Sequence, residues 1–124
     1  MNFDKLTEEL KKHKIKVGMF KKKLYRQIAD MIPDGAEIVA AAEGLAKDTP
    51  SAIPVIVTPE KVYMLKYAGL MGGLSSAVIS RSSITGVDVT GGILSTVFIN
   101  TTGERYEITK VARQQAMEIS RALA

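Results

Sequence analysis

Ala52-Ile53-Pro54-Val55-Ile56-Val57-Thr58-Pro59-Glu60-Lys61-Val62-Tyr63-Met64-Leu65-Lys66-Tyr67 is the stretch that decides the fold. Two runs of β-branched and aromatic residues flank Thr58-Pro59-Glu60, which predicts a hairpin over 53–58 and 61–67. Downstream, β-prone segments recur at 75–81, 84–90, 93–100 and 104–109. Ser82-Ser83, Gly91-Gly92 and Thr101-Thr102-Gly103 separate them, which is how an antiparallel meander is written in sequence. Upstream, 37–45 is ambiguous: its alanines favour helix, while its length and Gly44 suit a strand. The hairpin-spaced segments that follow decide for a first strand. From about Lys110 the period becomes helical, with Ala112, Ala116, Ile119 and Leu123 on one narrow face. A helix with one small apolar stripe plugs the open end of a curved sheet.

Two further helices are expected before the meander. Residues 2–12 have Asn2 as a fair N-cap, Asp4 in the first turn and lysines at the far end, where the helix dipole favours them. Phe3, Leu6 and Leu10 form the apolar stripe. A second helix, from about Gly18 to Met31, is stopped by Pro33-Asp34-Gly35. Its stripe is Phe20, Leu24, Ile28 and Met31, which predicts burial of Phe20, Leu24 and Ile28 and leaves Lys21, Lys22 and Lys23 in solvent. Helices this short are not stable alone and must pack on the body or on another subunit.

The chain of 124 residues is long enough for one domain with a real core. No apolar run is long enough to span a bilayer, and the charged start lacks the apolar region of a secretory signal. Cysteine is absent, so there is no disulfide framework and no thiolate site. Cytoplasmic localisation is the default expectation. The net charge of +4 hides an asymmetry. Residues 1–26 hold nine Lys and Arg against three Asp and Glu, while the rest is mildly acidic. A basic arm on an acidic body suggests an anionic partner, against the plainer reading of a solvated lysine face.

Seven short strands followed by one amphipathic helix is the order of a pleckstrin-homology-like (PH-like) barrel. The sequence resembles the bacterial PH-like family in Val57-Thr58-Pro59-Glu60-Lys61-Val62, the Gly69 to Gly73 loop, and Arg81-Ser82-Ser83-Ile84-Thr85-Gly86-Val87. The likeness continues in Gly92-Ile93-Leu94, Thr102-Gly103-Glu104 and the helix from Lys110 to Leu123. It covers about 37–124 and leaves 1–32 as a basic helical extension. The expected fold class is therefore α+β: a PH-like antiparallel barrel, or two orthogonal sheets, of about seven strands with a C-terminal capping helix and two extra N-terminal helices. The resemblance implies a binding module of bacterial or phage origin for which homo-oligomerisation is an expectation. It also disfavours a phosphoinositide site of the eukaryotic kind. The loop after the first strand offers only Lys47, beside Asp48, and phosphate recognition needs several converging donors.

The sequence supplies little chemistry for catalysis. His13 is the only histidine and reads most simply as an exposed member of Lys11-Lys12-His13-Lys14. No Gly-x-Ser-x-Gly elbow, phosphate-loop ending or calcium ladder is present. No enzyme activity, metal or cofactor is expected. Two binding readings follow. The leading one is a PH-like assembly module acting through protein contacts, with Phe20, Leu24, Val62, Met64, Leu70, Met71 and Leu74 as candidates. Its motive is that Tyr63, Leu65 and Tyr67 alternate with Val62, Met64 and Lys66, so that strand is partly apolar on both faces. The alternative is attachment to anionic lipid or nucleic acid through Lys11, Lys12, Lys14, Lys16, Lys21, Lys22, Lys23 and Arg26.

Overall fold

A computed structural model describes residues 1–48, 51–67 and 73–124, except the Tyr67 side chain. Helix α1 (Phe3–Lys12) and helix α2 (Lys22–Met31) precede seven strands. These are β1 (Ala40–Ala46), β2 (Ala52–Val57), β3 (Lys61–Tyr67), β4 (Leu74–Ser80), β5 (Ile84–Gly91), β6 (Leu94–Thr101) and β7 (Arg105–Ala112). Helix α3 (Arg113–Ala122) closes the chain. The strands form one antiparallel sheet in the order β4-β3-β2-β1-β7-β6-β5. This is α+β architecture with the PH-like order of seven strands and a terminal helix.

The sheet curls so that its two arms share a core. Val62 and Met64 of β3 and Ile79 of β4 join Val97 and Ile99 of β6 in one cluster, which Ala116 and Ile119 of α3 and the Leu123 that follows it complete. β1 joins the two arms through a short pairing of Leu45 with Thr109 and Ala46 with Ile108. Gly44 permits that crossing: a Cβ there would lie 2.5 Å from Ile108 Cγ2 and from the Thr109 carbonyl. The alanines of β1 serve the same closeness. Ala40 and Ala42 face the inner core, and Ala41 faces the helices on the outside.

A second cluster lies on the outer face. Leu6, Leu10, Ile15, Leu24, Tyr25, Ile28, Ala29 and Ile32 pack on Ile38, Ala41, Ile56, Tyr63 and Leu65. The two apolar faces of β3 are thus both covered within the chain, Val62 and Met64 by the barrel interior and Tyr63 and Leu65 by α1 and α2. This corrects the expectation that Val62 and Met64 offer a protein-contact face. Strand alternation places them inward, where they are 0% and 5% exposed.

Helix α3 begins three residues later than its periodicity predicts, because β7 continues through a register shift opposite Thr96. Lys110 adopts φ 52° there, and Val111 then returns to the core. Ala112 consequently ends a strand, exposed, and does not open the helical stripe. At the other end of α3 the Arg81 guanidinium donates to the Ala122 carbonyl, satisfying one of the acceptors that a helix C-terminus leaves free.

Candidate functional site

The connection between α1 and α2 is built by local rules. Asn2 Oδ1 accepts from the Asp4 and Lys5 amides and starts α1. The helix ends on a Schellman motif: Lys14 turns to φ 65°, its amide donates to the Lys11 carbonyl, and the Ile15 amide donates to the Leu10 carbonyl at 2.9 Å. The hydrophobic contact typical of that motif is made by Leu10 and Ile15, both buried in the outer cluster. The chain then passes Gly18 into a single 3-10 turn, Met19–Lys21, before α2 begins at Lys22.

That late start overturns the expected burial of Phe20. A 100° step per residue from 20 to 24 holds only if all five residues are α-helical, and here 19–21 are not. Phe20 is 95% exposed and Met19 is 77% exposed. Leu24 and Ile28 are buried as expected, and Tyr25 is buried with them. Leu24, at 1% exposure inside the outer cluster, cannot serve as a contact residue for a partner. Of the remaining protein-contact candidates, Leu74 packs partly against the outer cluster, while Leu70 and Met71 lie outside the described residues.

The turn is tied down by one carboxylate. Lys21 Nζ lies 2.6 Å from Glu43 Oε2, and the buried Tyr25 hydroxyl donates to Glu43 Oε1. The Glu43 amide donates to Gln115 Oε1 at 3.1 Å, which joins this network to the first turn of α3. Burial pushes the Tyr25 phenol far above its ordinary range, and the negative charge of Glu43 pushes the same way. Lys21 is therefore a paired lysine, contrary to its expected place among the solvated ones. His13 is likewise not free: it is half-buried, with Nδ1 3.5 Å from Glu118 Oε2 on α3.

The other basic candidates lie on α1, on α2 and on the chain between them. Lys11, Lys14, Lys16, Lys22 and Lys23 are exposed. Lys12 pairs with Glu9 at 3.1 Å, and the Arg26 guanidinium stacks over the Phe3 ring, 4.4 Å from its centroid. Sequence reasoning missed the exposed Met19-Phe20 pair, which lies between these cations along the chain. Gly18 caps the 3-10 turn in an extended conformation, and the sequence period does not distinguish this turn from the first turn of an α-helix.

A cavity of about 810 Å³ opens between the arms of the sheet. Lys47, Lys66 and Arg105 line it, opposed by Asp48, Glu104 and Glu107. Lys47 Nζ is 3.9 Å from Glu107 Oε1. Among the described residues three bases meet three acids, so these lining side chains carry no net positive charge.

No protein-family model matches the sequence, and no curated protein matches it significantly. Among solved structures, the chain is similar to the hSac2 domain from human phosphoinositide phosphatase Sac2. The TM-score is 0.56 at 9% identity, covering 85% of this chain and 78% of that one. It is also similar to a pleckstrin homology domain from Shewanella amazonensis SB2B, with a TM-score of 0.48 and 15% identity over 70% of this chain and 79% of that one. At these identities the likeness concerns the fold alone.

Proposed function

We propose that this chain is a non-catalytic PH-like binding module that attaches reversibly to anionic membrane lipid through the Met19–Lys21 turn and the lysines around it. The observation that carries the reading is Phe20, an aromatic side chain 95% exposed on a turn followed by the exposed Lys22 and Lys23. An apolar tip followed by exposed ammonium groups matches a bilayer interface, with acyl chains beneath anionic headgroups. Each engaged lysine contributes about 1 kcal/mol, and burying a Phe or Met side chain about 1.5–3 kcal/mol. Lys16, Lys22 and Lys23 with Phe20 then give on the order of 5 kcal/mol, a weak and reversible attachment. Nucleic acid suits the site less well. One phenyl ring offers little stacking, and the Met19 thioether offers none. The barrel mouth, with its balanced charges, suits an anionic headgroup less well than the turn does.

Co-sedimentation with phosphatidylcholine vesicles, with and without phosphatidylserine, tests this reading, with duplex DNA as a parallel arm. Binding that requires phosphatidylserine, weakens with salt, and falls about thirtyfold in Lys22→Gln with Lys23→Gln supports it. Equal binding to neutral vesicles, no binding to any vesicle, or binding to DNA alone overturns it.

A second reading keeps protein contact through a different surface. Strand β4 is an edge of the sheet, and Leu74–Ser80 contains neither a charged residue nor a proline to blunt it. Val78 on its outer face is 49% exposed. Addition of a strand from a second copy would satisfy this edge. Light scattering across concentration checks it: growth of a dimer favours the reading, and a persistent monomer removes it.

A further inference from the structure

The four most exposed large hydrophobic side chains among the described residues fall in two adjacent pairs. One is Met19 and Phe20; the other is Ile93 at 90% and Leu94 at 58%, on the tip of the β5–β6 hairpin. The pairs are far apart in sequence, yet both are anchored to the first turn of α3. Arg113 reaches the hairpin twice: its amide donates to the Ile93 carbonyl at 3.1 Å, and its guanidinium donates to the Gly91 carbonyl at 2.9 Å. Two residues on, Gln115 holds the Glu43 amide, and Glu43 holds Lys21. Positions two apart on a helix rise about 3 Å and face nearly opposite sides. Both apolar tips are therefore tethered to the first turn of α3, one through Arg113 and the other through Gln115, Glu43 and Lys21.

We propose that the Ile93-Leu94 tip is a second membrane-inserting point, so that an anionic phospholipid bilayer meets the molecule across the N-terminal end of α3. This rests on the reading of the Met19–Lys21 turn as a lipid contact. The charge around both tips is complementary to such a surface. Arg113 and Lys110 are exposed beside the hairpin, and Lys22 and Lys23 beside the turn. Glu43, the carboxylate between them, is already paired with Lys21. The nearest acid on the hairpin, Asp88, lies three residues before Gly91, where β5 ends, about 10 Å along the strand from that residue. The tip is also shaped to protrude. Gly91 takes φ +97°, and a Cβ there would sit 3.1 Å from the Leu94 carbonyl, so the turn requires glycine. Ser95, fully buried, fastens its base by donating to the Gly92 carbonyl at 2.8 Å. A convex tip with two aliphatic side chains is suited to enter acyl chains and not to line a groove.

The chain contains no tryptophan, so Phe20→Trp and Ile93→Trp each place a single fluorescent reporter at one tip. Each variant is mixed with phosphatidylcholine–phosphatidylserine vesicles, with and without acyl-chain-brominated lipid. A blue shift and quenching at both positions is the expected result. A response at position 20 with none at 93 overturns the hairpin proposal and leaves the turn reading standing. A response at 93 alone overturns the turn reading and the two-point contact that rests on it, and silence at both overturns the two together. Ile93→Ser with Leu94→Ser, at exposed positions, should weaken vesicle binding about tenfold or more with an unchanged melting temperature. Unchanged binding in that variant contradicts the proposal.

Discussion

Lys21 Nζ and Glu43 Oε2 are 2.6 Å apart, and this contact fixes to the middle of β1 the turn that leaves Phe20 in solvent. The same carboxylate accepts from the buried Tyr25 hydroxyl, so Glu43 both anchors the turn and satisfies a buried donor. Glu43→Ala should destabilise the fold by about 1–3 kcal/mol, since the phenol then loses its partner. Glu43→Gln retains an acceptor for Tyr25 and should be milder. Denaturant melts of the two variants check the order.

Tyr25 makes the fold sensitive to alkali. Its phenol is held protonated in the folded state by burial first and Glu43 second, so its folded pKa lies above the ordinary value. Below about pH 10 the phenol is protonated in both states and its contribution is constant. Above that, the unfolded phenol ionises and the folded one does not, so stability falls by about 1.4 kcal/mol per pH unit from this group. Tyr25→Phe should be less stable than wild type near neutral pH, yet show a shallower decline above pH 10. Parallel declines in the two proteins would contradict the assignment.

Leu24 and the lysines beside it separate packing from charge. Leu24 is 1% exposed, so Leu24→Ala should cost roughly 2–5 kcal/mol. Lys22→Gln with Lys23→Gln should change stability by no more than about 0.5 kcal/mol, because both side chains are exposed. Thermal melts distinguish the outcomes.

Much of this was legible in the sequence, for physical reasons that differ by element. The β3 strand, 61–67, was read to the residue because Thr58 and Pro59 punctuate it and Thr58 closes the turn by exchanging bonds with Lys61. α1 was legible because its cap, first-turn acid and last-turn lysines all point the same way. Phe20 was misread because one 3-10 turn shifts the helical phase, and periodicity carries no signal for so short an insertion. Ile93 was read as the start of a strand for a related reason: β propensity cannot tell the first strand residue from the last turn residue. The apolar outer face of β3 was correctly seen as needing a cover. That the cover is the chain's own N-terminal helices depends on contacts between distant segments, beyond any local pattern.

Lys14 holds a backbone conformation that glycine adopts more easily. At φ 65° in the Schellman position, Lys14→Gly should stabilise the protein by up to about 1 kcal/mol. The same change removes an exposed cation from the proposed lipid face, so it should lower vesicle affinity while raising the melting temperature. A fall in both would show that Lys14 stabilises the turn by another route.

Entry of the Met19–Lys21 turn into an anionic bilayer is tested most directly by partitioning of Phe20→Ser beside wild type. Both proteins are titrated with phosphatidylcholine–phosphatidylserine vesicles at physiological salt. Phe20 makes no buried contact to lose, so the variant should melt with wild type while binding vesicles about tenfold or more weakly. Equal partitioning of the two proteins would contradict insertion at this turn.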